Sequence, residues 1–334
     1  MKKYHVIVSA AVLLIGVAFF LSVSILNDYA TLPAFPEAAT RRFTVRSGQN
    51  VSDIARVLAR ESIISHPFKF RLLARINGSD RKIKAGEYRI SGAMSPADIL
   101  KRFVVGKVIL YRLTVPEGHT LLQIAEMIEK TDFANAADFR KFASNARLAE
   151  RYGLEGHGLE GYLYPDTYFF PKDVTSEKII DTMVAGFWSV FAPDWQVRAE
   201  SMGFSVHQIV TLAAIIEKET GDPAERPIIS SVFHNRLARG MRLASDPTVI
   251  YGIKDFDGNL TRKHLTTPTP YNTYQMKGLP PGPIANPGKE AIRAALFPAE
   301  TEFLYFVARR DRTHQFSTNI KDHNRAVRKY QLRR

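Results

Sequence analysis

An uncharged, largely apolar run from Val6 to Leu26 stands near the start of the sequence. About 20 such residues in a helix span a bilayer. Lys2 and Lys3 precede the run, so the positive-inside rule predicts a cytoplasmic tail (1–5), a transmembrane helix (6–26) and export of the rest. A cleaved signal peptide is the alternative, although its apolar core would be shorter and would end at a small-residue cleavage site.

Either interpretation exports most of the chain, and the retained anchor predicts a single-pass inner-membrane protein of a bacterium with its bulk in the periplasm. Pro33 and Pro36 fall in the stretch that follows, 27–42. Closely spaced prolines favour extended backbone. We therefore expect a linker at 27–42 that holds the folded part away from the membrane.

The composition excludes several kinds of site. The sequence has no cysteine, so disulfides, thiol catalysis and cysteine metal sites are impossible. Its nine histidines are dispersed, and we expect neither a metal nor a cofactor. The net charge of +13 comes without a nucleic-acid-binding motif. A solvated basic surface is the first interpretation, attraction to an anionic membrane or to the acidic cell wall is the alternative, and nucleic acid is disfavoured.

The first folded segment has a short plan that recurs later. Residues 43–58 predict a strand, a turn at Gly48 and a helix, and 113–128 repeat the pattern 70 positions on, with Gly118 in place of Gly48. Further helix and strand patterns complete a small unit at 43–107. This unit resembles the LysM module, which binds glycans containing N-acetylglucosamine. A packing domain that binds nothing is the alternative.

The chemistry is predicted to lie in the remaining residues, 108–334. Residues 205–220 predict a helix capped by Ser205 and apolar nearly all round, hence buried. Glu217 and Glu219 stand at its end and point about 200° apart. Small residues one turn before Glu217 favour it as the cleft carboxyl, with apolar surroundings that would keep it protonated. The alternative is a solvated carboxylate paired with Arg226.

Polar and aromatic side chains crowd the segments that follow this helix, as a sugar-binding groove requires. A loop rich in proline and glycine, 278–288, comes after them. Packing of the same side chains within the fold is the alternative. The group comprises Asn235, Asp246, Tyr251, Tyr271, Asn272 and Tyr274.

Several long motifs, in order along nearly the whole chain, closely resemble the MltG (YceG-like) family of endolytic murein transglycosylases. They include 159–168 (LEGYLYPDTY), 215–220 (IIEKET), 231–237 (SVFHNRL), 242–252 (RLASDPTVIYG), 269–274 (TPYNTY) and 278–284 (GLPPGPI). The resemblance implies an α+β protein: a single N-terminal transmembrane helix, a LysM-like small α/β module and a larger mixed α/β catalytic domain.

The resemblance also implies a mechanism without water. Glu217 would protonate the glycosidic oxygen between N-acetylmuramic acid and N-acetylglucosamine and then act as base on the muramic C6 hydroxyl, leaving a 1,6-anhydro end. Strand termination and association with peptidoglycan synthases follow by family analogy. The substrate-binding candidates are Glu160, Tyr162, Asp166, Glu219, Asn235, Asp246, Tyr271, Asn272 and Tyr274.

Two other functions remain open at this point. One is a non-catalytic, membrane-anchored scaffold that binds peptidoglycan. The other is a muramidase that hydrolyses the glycan with two carboxylates, in which Asp246 or Glu160 would join Glu217.

Overall fold

The structure is a computed structural model that describes residues 2–131, 133–311 and 313–332. The protein is a mixed α/β protein that divides into two compact units. The first consists of Met1–Tyr111 with Pro171–Asp173, and the second of Arg112–Phe170 with Val174–Arg334. Met1 and residues 333–334, which the predicted tail and catalytic domain include, lie outside the described residues.

The N-terminal helix is longer than predicted. Helix α1 spans Lys2–Thr31, and its segment Ser9–Thr31 is long and apolar enough to cross a membrane. It therefore includes residues 27–31, which were predicted to be extended linker. Proline first occurs at Pro33, so nothing in 27–31 breaks the helix.

The rest of the first unit follows the predicted order of strand, helix, helix, strand and helix. Strands β1 and β2 are antiparallel, with Phe43 opposite Tyr88. Their buried face and the three helices enclose one apolar core that includes Ile54 and Phe103. The elements are β1 (Arg41–Val45), α2 (Val51–Arg60), α3 (Pro67–Ile76), β2 (Gly86–Ile90) and α4 (Pro96–Val105).

The predicted repeat of a strand, a turn and a helix is confirmed. Gly48 and Gly118 both have positive φ, 75° and 73°, which glycine adopts without steric cost. Asn50 caps α2, and Thr120, 70 positions later, caps α5 (Leu121–Glu129). Both stretches therefore turn in the same way from strand into helix.

The second unit packs its helices around one buried helix, α10. Strand β3 pairs with β4, and β5 pairs with β6. The elements are β3 (Leu110–Thr114), α5 (Leu121–Glu129), α6 (Ala136–Ala143), α7 (Ala146–Arg151), β4 (Thr167–Pro171), α8 (Ser176–Val190), α9 (Pro193–Ser201), α10 (Val206–Glu219), α11 (Arg226–Ala238), α12 (Asp246–Tyr251), α13 (Arg262–Thr266), α14 (Lys289–Leu296), β5 (Tyr305–Ala308), β6 (His314–Ser317) and α15 (Ile320–Val327), followed by a π-helical turn, Arg328–Leu332.

Helix α10 matches its prediction closely. Ser205 caps it through a capping box with Gln208, and every residue from 209 to 216 is buried. It packs against α14 and α11. Helix α11 begins at Arg226, because Pro227 fits the first helical turn. This start places Arg226 beside the end of α10.

Candidate active site

Glu217 lies in the last turn of α10 with only 6% of its side chain exposed. One carboxylate oxygen accepts a hydrogen bond from Nη2 of Arg226 at 3.0 Å. The other accepts from the backbone N–H of Gly288 at 2.9 Å. The predicted pairing with Arg226 therefore exists, but neither solvent nor bare apolar surface surrounds the carboxylate. Two donors from separate segments fix its orientation.

A second carboxylate, Glu117, shares the guanidinium of Arg226. The distance from Arg226 Nη2 to Glu117 Oε2 is 3.7 Å, and about half of the Glu117 side chain is exposed. Burial raises the pKa of Glu117, the charge of Glu217 raises it further, and Arg226 opposes both. The three side chains form one charged cluster with two acids and one base.

Gly288 gives this cluster its room. A Cβ atom at this position would lie 1.8 Å from Oε1 of Glu117, so a larger residue would push the Glu117 side chain out of its present position. Sequence reasoning missed Glu117, which precedes the turn glycine Gly118 and was treated only as part of a repeated fold element. Glu117 comes close to Glu217, 100 positions later, only through the tertiary fold, so no local sequence pattern reveals it.

Glu219 faces different surroundings from Glu217, as the 200° separation predicts. One oxygen of its buried carboxyl accepts a hydrogen bond of 2.5 Å from the hydroxyl of Ser245. Burial raises the pKa of Glu219 to about 7, with a smaller rise from Asp246. Asp246 in turn accepts from the hydroxyl of Tyr274 at 2.7 Å. These residues form a separate network.

Among the predicted substrate-binding residues, Glu160 has the carboxyl group with the most hydrogen bonds. It accepts from the N–H of Leu121 at 2.9 Å, from the side-chain amide of Asn286 at 3.0 Å and from the hydroxyl of Tyr251 at 3.2 Å. Burial raises its pKa to about 7, against the effect of these donors. These hydrogen bonds also fix the position of the Glu160 side chain. The prediction that Glu160 lines a sugar-binding groove did not include them.

A cleft of 280 Å³ opens beside Glu160. Tyr251 and Tyr271 meet in its wall, with ring centroids 4.8 Å apart at 61°. The cleft therefore offers aromatic faces, a carboxyl and an imidazole, the kinds of group that contact a sugar. Its lining includes Leu122, Glu160, His207, Tyr251, Tyr271 and Pro283.

Asn286 connects the proline- and glycine-rich loop to the segment that carries Glu160. Its side-chain oxygen accepts from the N–H groups of Gly161 and Leu163, each at 2.9 Å. Its amide donates to the carbonyl of His119 at 2.9 Å and to Glu160. The predicted loop thus contains a buried residue that links three segments, which sequence reasoning did not single out.

Three candidates for substrate binding are used by the fold itself. Tyr162 is buried, with its hydroxyl 2.8 Å from Nδ1 of His207. The amide of Asn235 donates to two backbone carbonyls, at 2.8 and 3.0 Å. Asn272 is fully buried, and its amide donates to three carbonyls at the end of α13. Their polar groups have hydrogen-bond partners within the fold, and the contact of these residues with substrate stays a prediction.

Asp166 lies apart from both carboxyl clusters in its contacts. It is exposed, and its side chain accepts from the N–H of Thr167 at 2.6 Å. Its carbonyl accepts from the N–H of Val115 at 2.9 Å. It lies directly before the start of β4, and its partner Val115 comes two residues before Glu117 in the sequence.

Comparisons with known proteins extend over almost the whole chain. A family model described as the YceG-like family matches residues 43–329. A Bacillus subtilis protein named endolytic murein transglycosylase is 33% identical over 95% of this chain and 91% of its own length. A Streptococcus pneumoniae protein of the same name is 30% identical over 85% of this chain and 57% of its own length.

A solved structure gives a similar result. The 2.6 Å crystal structure of a yceG-like protein from Listeria monocytogenes matches with a TM-score of 0.59 and 36% identity. The match covers 86% of this chain and 100% of that one.

Proposed function

This chain belongs to the YceG-like family, and from that premise we propose that it is an endolytic lytic transglycosylase of peptidoglycan with Glu217 as its acid/base. The observation that carries the proposal is the burial of Glu217 together with its hydrogen bonds. It is nearly buried at the end of α10, and each of its oxygens has a donor, Arg226 or Gly288. A general acid needs such a fixed orientation.

The proposed reaction needs one carboxyl and no water. Glu217 donates its proton to the glycosidic oxygen as the bond from that oxygen to C1 of N-acetylmuramic acid breaks. The C6 hydroxyl of the same sugar then forms the bond to C1, and its proton returns to Glu217. Ordinary glycosidases use a second carboxylate to activate water or attack the sugar. Here the nucleophile is already held in the substrate, so proximity replaces that group.

The charged cluster suits the step that leaves Glu217 deprotonated. After the first proton transfer, Glu217 is an anion, which Arg226 and the N–H of Gly288 stabilise. Glu117 shares the guanidinium of Arg226 at 3.7 Å and so offsets part of its positive charge.

The remaining substrate contacts are proposed from the cleft. Glu160 and Tyr271, with the neighbouring Tyr251, supply the carboxyl and aromatic faces for sugar rings. Glu219, Asp246 and Tyr274, which belong to the network around Ser245, are proposed as further substrate contacts.

The domain organisation remains a proposal of the same kind. Residues 43–107 would be a LysM-like module that contacts glycan, and 108–334 the catalytic domain. Helix α1 would anchor the chain in the inner membrane with its N-terminus cytoplasmic and both units periplasmic. From that position the enzyme would terminate nascent strands beside peptidoglycan synthases.

A two-carboxylate hydrolase is the second candidate, because Glu117 lies on the same guanidinium as Glu217. In that case Glu117 would activate water, and the products would carry reducing ends instead of anhydro ends.

The test is mass spectrometry of glycan fragments released from purified sacculi. Wild type would be compared with Glu217→Gln and with a matched control, Glu200→Gln, which changes an exposed carboxyl of α9. We expect 1,6-anhydro ends from wild type and from the control and none from Glu217→Gln. Reducing ends from wild type would replace the proposal with hydrolysis. Equal products from wild type and Glu217→Gln would exclude Glu217 as the acid.

A further inference from the structure

The end of the membrane helix is part of the core of the first unit. Tyr29 and Ala30 are buried in that core, with Leu26 packed against it. The hydroxyl of Tyr29 donates to the carbonyl of His66 at 3.0 Å. The expected linker does not separate this unit from α1, because the helix enters the unit directly.

This contact places α3 beside the end of the anchor. His66 is the N-cap of α3, and Nζ of Lys69 lies 5.6 Å from the ring centroid of Tyr29. The large apolar side chains of α1 from Val12 to Ile25 are exposed, as lipid contact requires. From Ile25 to Tyr29 the helix rises about 6 Å. The first turn of α3 therefore lies about one helical turn beyond the lipid-facing surface.

Helix α3 carries an exposed apolar stripe. Phe68, Leu72 and Ile76 are 69%, 37% and 64% exposed, and their spacing of four puts them on one face. Arg71 and Arg75 flank the stripe. Large apolar side chains bordered by arginines are the pattern of a helix that lies in a membrane interface.

The groove along this helix adds further positive charge. It has a volume of 590 Å³ and includes Phe68 and Leu72 together with Arg56, Arg71, Arg75 and Arg81. Two acids, Asp53 and Asp80, also line it, and Asp53 is paired with Arg56. Four arginines against two acids leave a net positive groove beside the stripe. Phosphate groups of anionic lipids complement such a surface.

We propose that α3 is a second membrane contact of this chain. Phe68 and Leu72 insert among the headgroups of the bilayer that α1 crosses, and Arg71 and Arg75 bind the phosphates of anionic lipids. The inference goes beyond the proposed catalysis and rests on the anchoring role of α1. It makes the first unit a platform with a fixed face toward the membrane.

The absence of cysteine in the sequence permits a direct test with single labelled positions. Phe68→Cys and Leu72→Cys would each carry a polarity-sensitive fluorophore in the full chain, reconstituted into vesicles. Val105→Cys is the matched control, because Val105 is exposed to a similar extent as Phe68, at 62%, and is the last residue of α4. One set of vesicles would contain phosphatidylglycerol and phosphatidylcholine, and the other phosphatidylcholine alone.

We expect labels at 68 and 72 to shift to shorter emission wavelength in the anionic vesicles. Lipids with a quencher on the upper acyl chain should quench them at least twofold more than the label at 105. Replacing Arg71 and Arg75 together with glutamine should reduce that quenching. Flotation of every variant with the vesicles reports the insertion of α1 separately.

Three results would overturn the proposal. The first is equal quenching of the labels at 68, 72 and 105. The second is a wavelength shift without lipid quenching, which would mean that protein covers the stripe. The third is identical quenching in both vesicle types, which would remove the assignment of the arginines to anionic headgroups.

Discussion

Replacing Glu219 with glutamine should make the second unit more stable at neutral and alkaline pH. Burial raises the pKa of this carboxyl from 4.5 to about 7 in the folded protein. In the unfolded chain the same group ionises near its ordinary value, so it loses its proton at lower pH than in the folded state. Stability therefore falls as the pH rises from about 4.5 to about 7 and stays low above that range.

The size of the effect follows from the difference in pKa. A rise from 4.5 to about 7 corresponds to about 3 kcal/mol, at about 1.4 kcal/mol for each pH unit. Glutamine carries no charge to desolvate, and its side-chain oxygen can accept the hydrogen bond from Ser245. Relative to wild type, Glu219→Gln should gain about 3 kcal/mol of unfolding free energy between pH 4.5 and pH 8.

Tryptophan fluorescence offers a selective assay. The two tryptophans of the sequence, Trp188 in α8 and Trp195 in α9, both belong to the second unit. Urea denaturation of the full chain in detergent, followed by this signal, would give the unfolding free energy of wild type and variant at each pH. Parallel pH dependences in the two proteins would refute the reasoning, because the difference isolates the titration of Glu219.

Three other substitutions test the site. Asn286→Ala should destabilise the second unit by about 2–4 kcal/mol in urea denaturation, since it leaves two buried N–H groups without their acceptor and Glu160 without one of its donors; a change below 0.5 kcal/mol would contradict this. Gly288→Ala should displace Glu117 and reduce glycan release at least tenfold while the Trp signal stays native; near-normal release would show that the contact is dispensable. Glu117→Gln should still release 1,6-anhydro ends, because the proposed reaction needs no second carboxylate; loss of release in this variant would favour the two-carboxylate hydrolase instead.

Local patterns predicted the helices well because their determinants are local. Ser205 and Gln208 form the capping box of α10, and the turn glycines with their following caps start α2 and α5. Each of these features depends on residues within one turn of each other. For the same reason the separation of Glu217 from Glu219 could be predicted from the helix alone.

The surroundings of Glu217 could not be predicted in the same way. Its partners Arg226 and Gly288 come from a later helix and a later loop, and Glu117 stands 100 residues earlier. No periodicity joins such positions. The expectation of apolar surroundings considered only α10 itself, whose buried faces are apolar, and so missed the charges that other segments bring to its end.

The prediction of an extended linker was wrong at residues 27–31 for a related reason. Pro33 and Pro36 correctly exclude helix at their own positions, but the helix stops only at Thr31. Tyr29 and Ala30 are buried by side chains from α3 and α4, which follow later in the sequence. Composition alone cannot reveal that kind of burial.

The tripeptide Asn286-Pro287-Gly288 holds Glu160 at one end and Glu217 at the other. Its central proline has a nearly fixed φ, so the tripeptide is a short rigid spacer between the two carboxyl groups. Changes in the length of the long loop before it would leave the spacing between the two carboxyls intact. Under the proposed function, this tripeptide would set the distance between the sugar bound near Glu160 and the glycosidic bond that Glu217 cleaves.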